Sequence, residues 1–173
     1  MFKFIAGLLI GLLLIPVGAF VYFRSGTAPV ATAAPMMPFE KSLAKMALHA
    51  RLDKEMPSTV PIAADEPSLT AGAKVYREHC AFCHGTPGQA PTAAAQGMFP
   101  IPPQLLVKKG VTDDPAGETY WKVTNGIRLT GMPGYTKTLS DTQRWQVSLL
   151  LLHAHDLPAS AMMELKTPPV AGQ

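Results

Sequence analysis

Cys80-Ala81-Phe82-Cys83-His84 is the stretch on which the reading of this chain turns. Two cysteines three residues apart at the end of a helix place both sulfurs on one side of the backbone. The histidine that follows brings an imidazole to the same spot. These are the only two cysteines among 173 residues. A disulfide framework uses more of them, spaced further apart, so the close pair has another reason to be there.

Three chemistries use such a pair. A thioredoxin-like dithiol sits in an α/β pattern, and no β alternation is visible anywhere in this chain. A zinc site needs a fourth ligand; His79, His153 and His155 are on offer, but not at a recognised spacing. The third is covalent haem. Each thiol adds to one vinyl group, giving two thioether bonds, and His84 faces the iron from below. Cys-x-x-Cys-His serves haem attachment for that geometric reason, and it accounts for all three residues at once.

Working outward, Ser68 or Thr70 can cap a helix running through Gly72, Val75 and Tyr76 to about His79. The chain from Gly85 to Gly110 is rich in Gly and Pro and reads as loop. Asp114-Pro115 predicts a helix start, with Asp as cap and Pro in the first position. That helix holds Tyr120, Trp121 and Val123 and ends near Asn125-Gly126. Ser140 with Gln143 forms a capping box for a helix over 141–156, with Trp145, Leu149 and Leu152 on one stripe. The class is all-α: a folded unit over 67–158, three or more helices joined by long loops, and then a flexible tail over 159–173.

The N-terminal part has a different character. Residues 1–26 contain an uncharged run, Phe4 to Phe23, between Lys3 and Arg24. As a helix its twenty residues span about 30 Å, the thickness of a bilayer's hydrocarbon core. A cleaved signal peptide is the rival reading: a short apolar region over 5–15, Pro16 as a break, and Val17-Gly18-Ala19 like a cleavage site. The apolar run continues past that point, which favours a membrane anchor. Both readings export the rest of the chain. Residues 27–66 form a Pro/Ala-rich linker containing a short amphipathic helix, 39–55. Phe39, Leu43, Met46, Ala47 and Ala50 share one stripe of it. Packing on the main domain or the anchor is the plainer reading of that stripe, and a docking helix for a partner subunit is the sharper one.

Formal net charge is +3, spread along the chain without a basic run or interleaved aromatics. Nucleic acid is therefore not an expected partner.

Several motifs occur in an order that resembles the class I c-type cytochromes. They are Gly72-Ala-Lys-Val-Tyr76-Arg-Glu-His-Cys80, Cys83-His84-Gly85, Pro102-Pro103-Gln-Leu105, Tyr120-Trp121, Asn125-Gly126-Ile127, Gly131-Met132-Pro133, and Leu139-Ser140-Asp141 before Trp145. The resemblance covers about 69–157. It implies a cytochrome c-like helical domain wrapped around one haem c, attached through Cys80 and Cys83, with His84 as one iron ligand and a methionine as the other. Of nine methionines, only Met98 and Met132 lie inside the folded unit. Met132, flanked by Gly131 and Pro133, is the expected ligand, and Met98 is expected to wall the haem. The Pro102-Pro103 segment resembles the stretch that supplies a carbonyl to the ligand imidazole. Gly72 and Tyr76 resemble positions where the first helix crosses the last, filled by Trp145 and Leu149. Phe82, Leu105, Trp121, Ile127, Leu129 and Tyr135 are candidate haem shields, and Arg128 and Tyr135 candidate propionate partners.

With both axial positions filled, iron exchanges electrons rather than binding a small-molecule substrate. The expected protein is an electron carrier and not an enzyme. It is a single-pass membrane protein with the haem domain on the periplasmic side, moving single electrons between redox protein partners. The alternative is a haem subunit held permanently in a dehydrogenase or oxidase complex.

Overall fold

The computed structural model describes residues 1–89, 91–106 and 113–167. Among the described residues there is no strand, in keeping with the all-α expectation. The elements are α1 (Phe2–Arg24), α2 (Glu40–Glu55), α3 (Glu66–His79), α4 (Ala81–His84), α5 (Ala93–Gln96), α6 (Ala116–Asn125), α7 (Asp141–Leu152) and α8 (Ala159–Lys166). The end of the expected Gly85–Gly110 loop and the last residues of the expected tail fall outside the described residues.

The chain divides into two units, Met1–Leu43 and Ala44–Gln173. The first unit is dominated by α1, none of whose residues is buried. It is long and apolar enough to cross a membrane. Pro16 sits inside this helix and does not end it. Its missing N–H removes one hydrogen bond, and the helix continues on both sides.

Helix α2, which begins in the first unit and continues into the second, turns its apolar stripe the unexpected way. Phe39, Leu43 and Met46 are exposed, and the buried residue is Leu52, 2% accessible. Leu48 and Leu52 are four residues apart, so they share a face opposite Leu43. That face does the packing, and the predicted stripe does not.

Helix α3 is the centre of the second unit, packed against both α7 and α8. Its cap is Asp65, one residue before the helix, whose Oδ1 accepts the Ser68 N–H at 2.9 Å. The sequence alone offers Ser68 or Thr70 as the cap. With Pro67 already in the first turn, the capping position falls upstream of it, and the Thr70 hydroxyl instead donates back to the Glu66 carbonyl at 2.8 Å. Where α3 crosses α7, a Cβ on Gly72 would stand 2.3 Å from the Gln146 carbonyl oxygen and 3.2 Å from Leu150 Cβ. Only a glycine admits that approach. Gln146 and Leu150 thus stand nearest Gly72, and the expected Trp145 and Leu149 are buried in the same core. Trp145 also stacks on Tyr120, centroids 4.1 Å apart.

Two further expectations are corrected. At α6, Pro115 takes the capping position and makes no side-chain cap. Asp114 is drawn away by Lys122, whose Nζ donates to it at 2.8 Å. Over 159–166 the predicted flexible tail is helix α8. Ala161 and Leu165 are buried in the common core, and Arg77 of α3 pairs with Glu164 at 2.8 Å. Small and single apolar residues gave no strong period, yet two of them four apart suffice to bury one face. The capping box on α7 is present as read, with Ser140 and Gln143 bonding each other's backbone.

Candidate functional site

Helix α3 ends at Cys80, and the chain turns at once into the single turn α4. Backbone bonds hold this turn: the Cys80 N–H donates to the Tyr76 carbonyl at 2.8 Å, and the His84 N–H to the Cys80 carbonyl at 2.9 Å. Gly85 then leaves α4 with φ +72°, and a Cβ there would collide with the Gln104 side chain. Beneath the turn, Tyr76 is fully buried. Its hydroxyl donates to the Gly85 carbonyl at 2.8 Å. Burial raises the Tyr76 pKa, so the phenol stays protonated and keeps donating. Burial likewise pushes the Cys80 thiol up to about 12, with Cys83 adding to it. Both thiols are free.

Cys80, Cys83 and His84 line one cavity, and Met132 lines the same cavity. Its walls are mainly apolar: Leu105, Val123, Ile127, Val147 and Leu151, with the 100–103 segment. His79, Thr119, Lys122, Thr130 and Tyr135 supply its polar part.

His84 has a defined tautomer. Its Nδ1 lies 2.7 Å from the Pro103 carbonyl oxygen. A carbonyl only accepts, so Nδ1 carries the proton and Nε2 keeps its lone pair. Burial lowers the His84 pKa, against the opposing pull of the Pro103 bond, and this favours the neutral ring. A neutral imidazole with one nitrogen locked and the other free is the state a metal ligand requires.

Met132 is carried by an irregular loop between α6 and α7. The Thr130 hydroxyl donates to the Ile127 carbonyl at 2.6 Å and accepts the Met132 N–H at 3.1 Å. Gly126, at φ +70°, lets the backbone of 132–134 lie against the end of α6; a Cβ there would meet Gly134 N at 2.6 Å. At the loop's tip Leu129 has φ +62° and is 90% exposed.

Other sequence candidates fall apart from the cavity. Leu105, Ile127 and Tyr135 line it, but Phe82, Trp121 and Leu129 do not. Phe82 is 61% exposed, and the Trp121 indole donates to Glu55 at 3.1 Å. The Tyr135 hydroxyl donates to the His79 carbonyl at 2.8 Å and is therefore not directed at a propionate. Burial raises its pKa to about 12. Arg128 is exposed and does not line the cavity.

Among the described residues Lys122 does line it, held by Asp114 at 2.8 Å and Glu118 at 2.7 Å. Burial works against its charge, but the two carboxylates outweigh burial and leave its pKa raised. The sequence missed Lys122, Val123, Val147 and Leu151. Val147 and Leu151 are one helical turn apart on α7, a spacing that hinted at a shared face.

The rival readings of the cysteine pair find no support in this arrangement. Among the described residues no strand flanks the pair, and no group of three or more His, Cys, Asp or Glu gathers as a structural zinc would require. The donor set instead fits a haem. Two thiols and a locked imidazole line one apolar cavity, and Met132 adds a thioether to the same lining.

Residues 67–149 match the family model described as cytochrome C oxidase, cbb3-type, subunit III. No curated protein matches the chain. Among solved structures it is similar to a chain of the reducing HAO-like protein complex of Kuenenia stuttgartiensis. The identity is 25%, with a TM-score of 0.48, over 60% of this chain and 53% of that one. The chain thus spans about half the length of that relative.

Proposed function

We propose that the c-type cytochrome domain of residues 67–149 carries single electrons between redox partners outside the cytoplasm, tethered to a membrane by α1. The observation that carries this reading is the meeting of Cys80, Cys83, His84 and Met132 on one apolar cavity, with the His84 imidazole locked through Nδ1.

Bound haem supplies a one-electron iron couple, and the chain supplies the setting for it. Cys80 and Cys83 would hold it through their two thiols. His84, with Nδ1 locked on Pro103, would offer its Nε2 lone pair to the metal. Met132 would offer a thioether, which together with the apolar walls would favour the ferrous form. Tyr76 and Pro103 hold the cysteine turn and the imidazole in place. A group held by both His84 and Met132 would exchange electrons rather than take up a small-molecule substrate. The length and apolar composition of α1 support the tether, which raises the local concentration of partners without strong binding.

A second reading is a haem subunit held in a larger oxidoreductase complex. It is favoured by the matching family's description as an oxidase subunit and by the exposed apolar residues of α2. Membranes and soluble fractions carrying the expressed chain test both. The expected result is a pyridine haemochrome spectrum of one thioether-linked haem, resistant to acid-acetone and found in the membrane fraction. Extractable pigment, or none, overturns the proposal. Isolation as a single chain after detergent extraction supports the carrier, and co-purification with a stable set of partners supports the subunit.

A further inference from the structure

Met98 lines the same cavity as Met132. A Cβ built on Gly131 would stand 3.0 Å from the Met98 sulfur, so that thioether rests directly against the backbone one residue before Met132. The other side of the loop is pinned by the Thr130 hydroxyl and by Gly126. On Met98's side no comparable polar bond to the loop is seen among the described residues, and the contact is van der Waals.

The segment that carries Met98 is itself fastened to the cysteine turn. Helix α5 is capped by Thr92, whose Oγ1 accepts the Ala95 N–H at 3.1 Å. The same hydroxyl donates to the Phe82 carbonyl, inside α4, at 2.8 Å. Met98 follows directly, with its N–H on the Ala95 carbonyl at 3.2 Å. Residues 92–98 therefore run as a strap from the Cys80–His84 turn to the Gly131–Met132 loop.

We propose that Met98 is a positioning residue: its side chain, wedged against Gly131 and carried by the 92–98 strap, sets where Met132 stands in the cavity. The proposal rests on Met132 being the second iron ligand. A flexible thioether suits the role because it fills an irregular gap without a polar demand. Met98→Ala leaves that gap empty, and the loop gains room to swing the Met132 sulfur away.

The test uses the full-length haem-loaded protein and compares Met98→Ala, Met98→Leu and Met132→Ala. In Met98→Ala the ferric thioether–iron charge-transfer band weakens, and ferrous carbon monoxide affinity rises about tenfold, equivalent to about 1.4 kcal/mol lost from Met132 contact. Met98→Leu refills the space and restores both readouts, although it carries no sulfur. Met132→Ala abolishes the band altogether.

Unchanged band and carbon monoxide affinity in Met98→Ala overturn the positioning role, as does a Met98→Leu protein no better than Met98→Ala. A band that survives in Met132→Ala overturns the ligand assignment instead, so the two failures are distinguishable. Band loss in Met98→Ala with an unaltered melting temperature separates positioning from a general loss of structure.

Discussion

Two parts of the cavity lining are built on different principles. Cys80, Cys83 and His84 stand on consecutive helical turns, above the fully buried Tyr76 and a glycine crossing with a clearance that no other residue could meet. Met132 stands on an irregular loop whose geometry depends on one threonine hydroxyl, two glycines and a neighbouring thioether. Helix packing is cooperative and resists local change; a loop held by a few bonds yields locally. The imidazole side should therefore fail together with the fold, and the thioether side should fail alone.

The largest expected effect breaks the helical side. Gly72→Val drives a side chain into the Gln146 carbonyl and should cost about 3 kcal/mol or more. In a domain of this size that lowers the melting temperature by more than about 10 °C. A melting curve equal to wild type would remove the crossing from the comparison. Tyr76→Phe comes next. It leaves the Gly85 carbonyl without its buried donor, at a cost of about 1–3 kcal/mol by chemical denaturation. It should leave ferrous carbon monoxide binding unchanged, and a gain of binding would mean that the two sides are not independent.

Thr130→Val sharpens the contrast from the other direction. It removes both bonds of the Thr130 hydroxyl for about 1 kcal/mol of stability. Unlike Tyr76→Phe, it should raise carbon monoxide binding. Ser140→Ala removes a helix cap that does not itself line the cavity, costs about 1 kcal/mol, and should leave every haem readout alone.

The smallest effect is a pH dependence. The Asp141 carboxyl is held below its ordinary value of 3.8 by hydrogen bonds from Tyr120 and Arg144. Its contribution is present above that ordinary value and is lost as pH falls through the lowered one. Stability measured from pH 6 to pH 3 should thus fall less steeply in Asp141→Asn than in wild type. An identical slope would show that the Tyr120–Asp141–Arg144 group adds nothing.

The same division separates what the sequence revealed from what it hid. The cysteine turn and the α7 capping box are local patterns, each readable over a few residues, whereas the Pro103 acceptor, 19 residues from His84, came only from the resemblance to the c-type cytochromes. The class of fold followed from the absence of alternation together with several capped apolar runs. Contacts between distant segments were less legible. The outward stripe of α2 had the right period, but period does not say which face finds a neighbour, and Leu52 with Leu48 won that competition. The cap on α3 was ambiguous because Asp65, Ser68 and Thr70 all carry suitable oxygens. Helix α8 was invisible because Ala161 and Leu165 gain their meaning only from the groove they fill on α3. Lys122 was overlooked as a surface charge, since its carboxylate partners Asp114 and Glu118 only come to it once α6 has formed.

Because α3 is sandwiched between α7 and α8, the order of synthesis matters. The helix that bears the cysteine pair is made long before the two helices that cover it. Until Leu165 has been added, one flank of α3 stays bare. Packing of the helix that leads into the cysteine pair is therefore completed only by α8, the last element among the described residues.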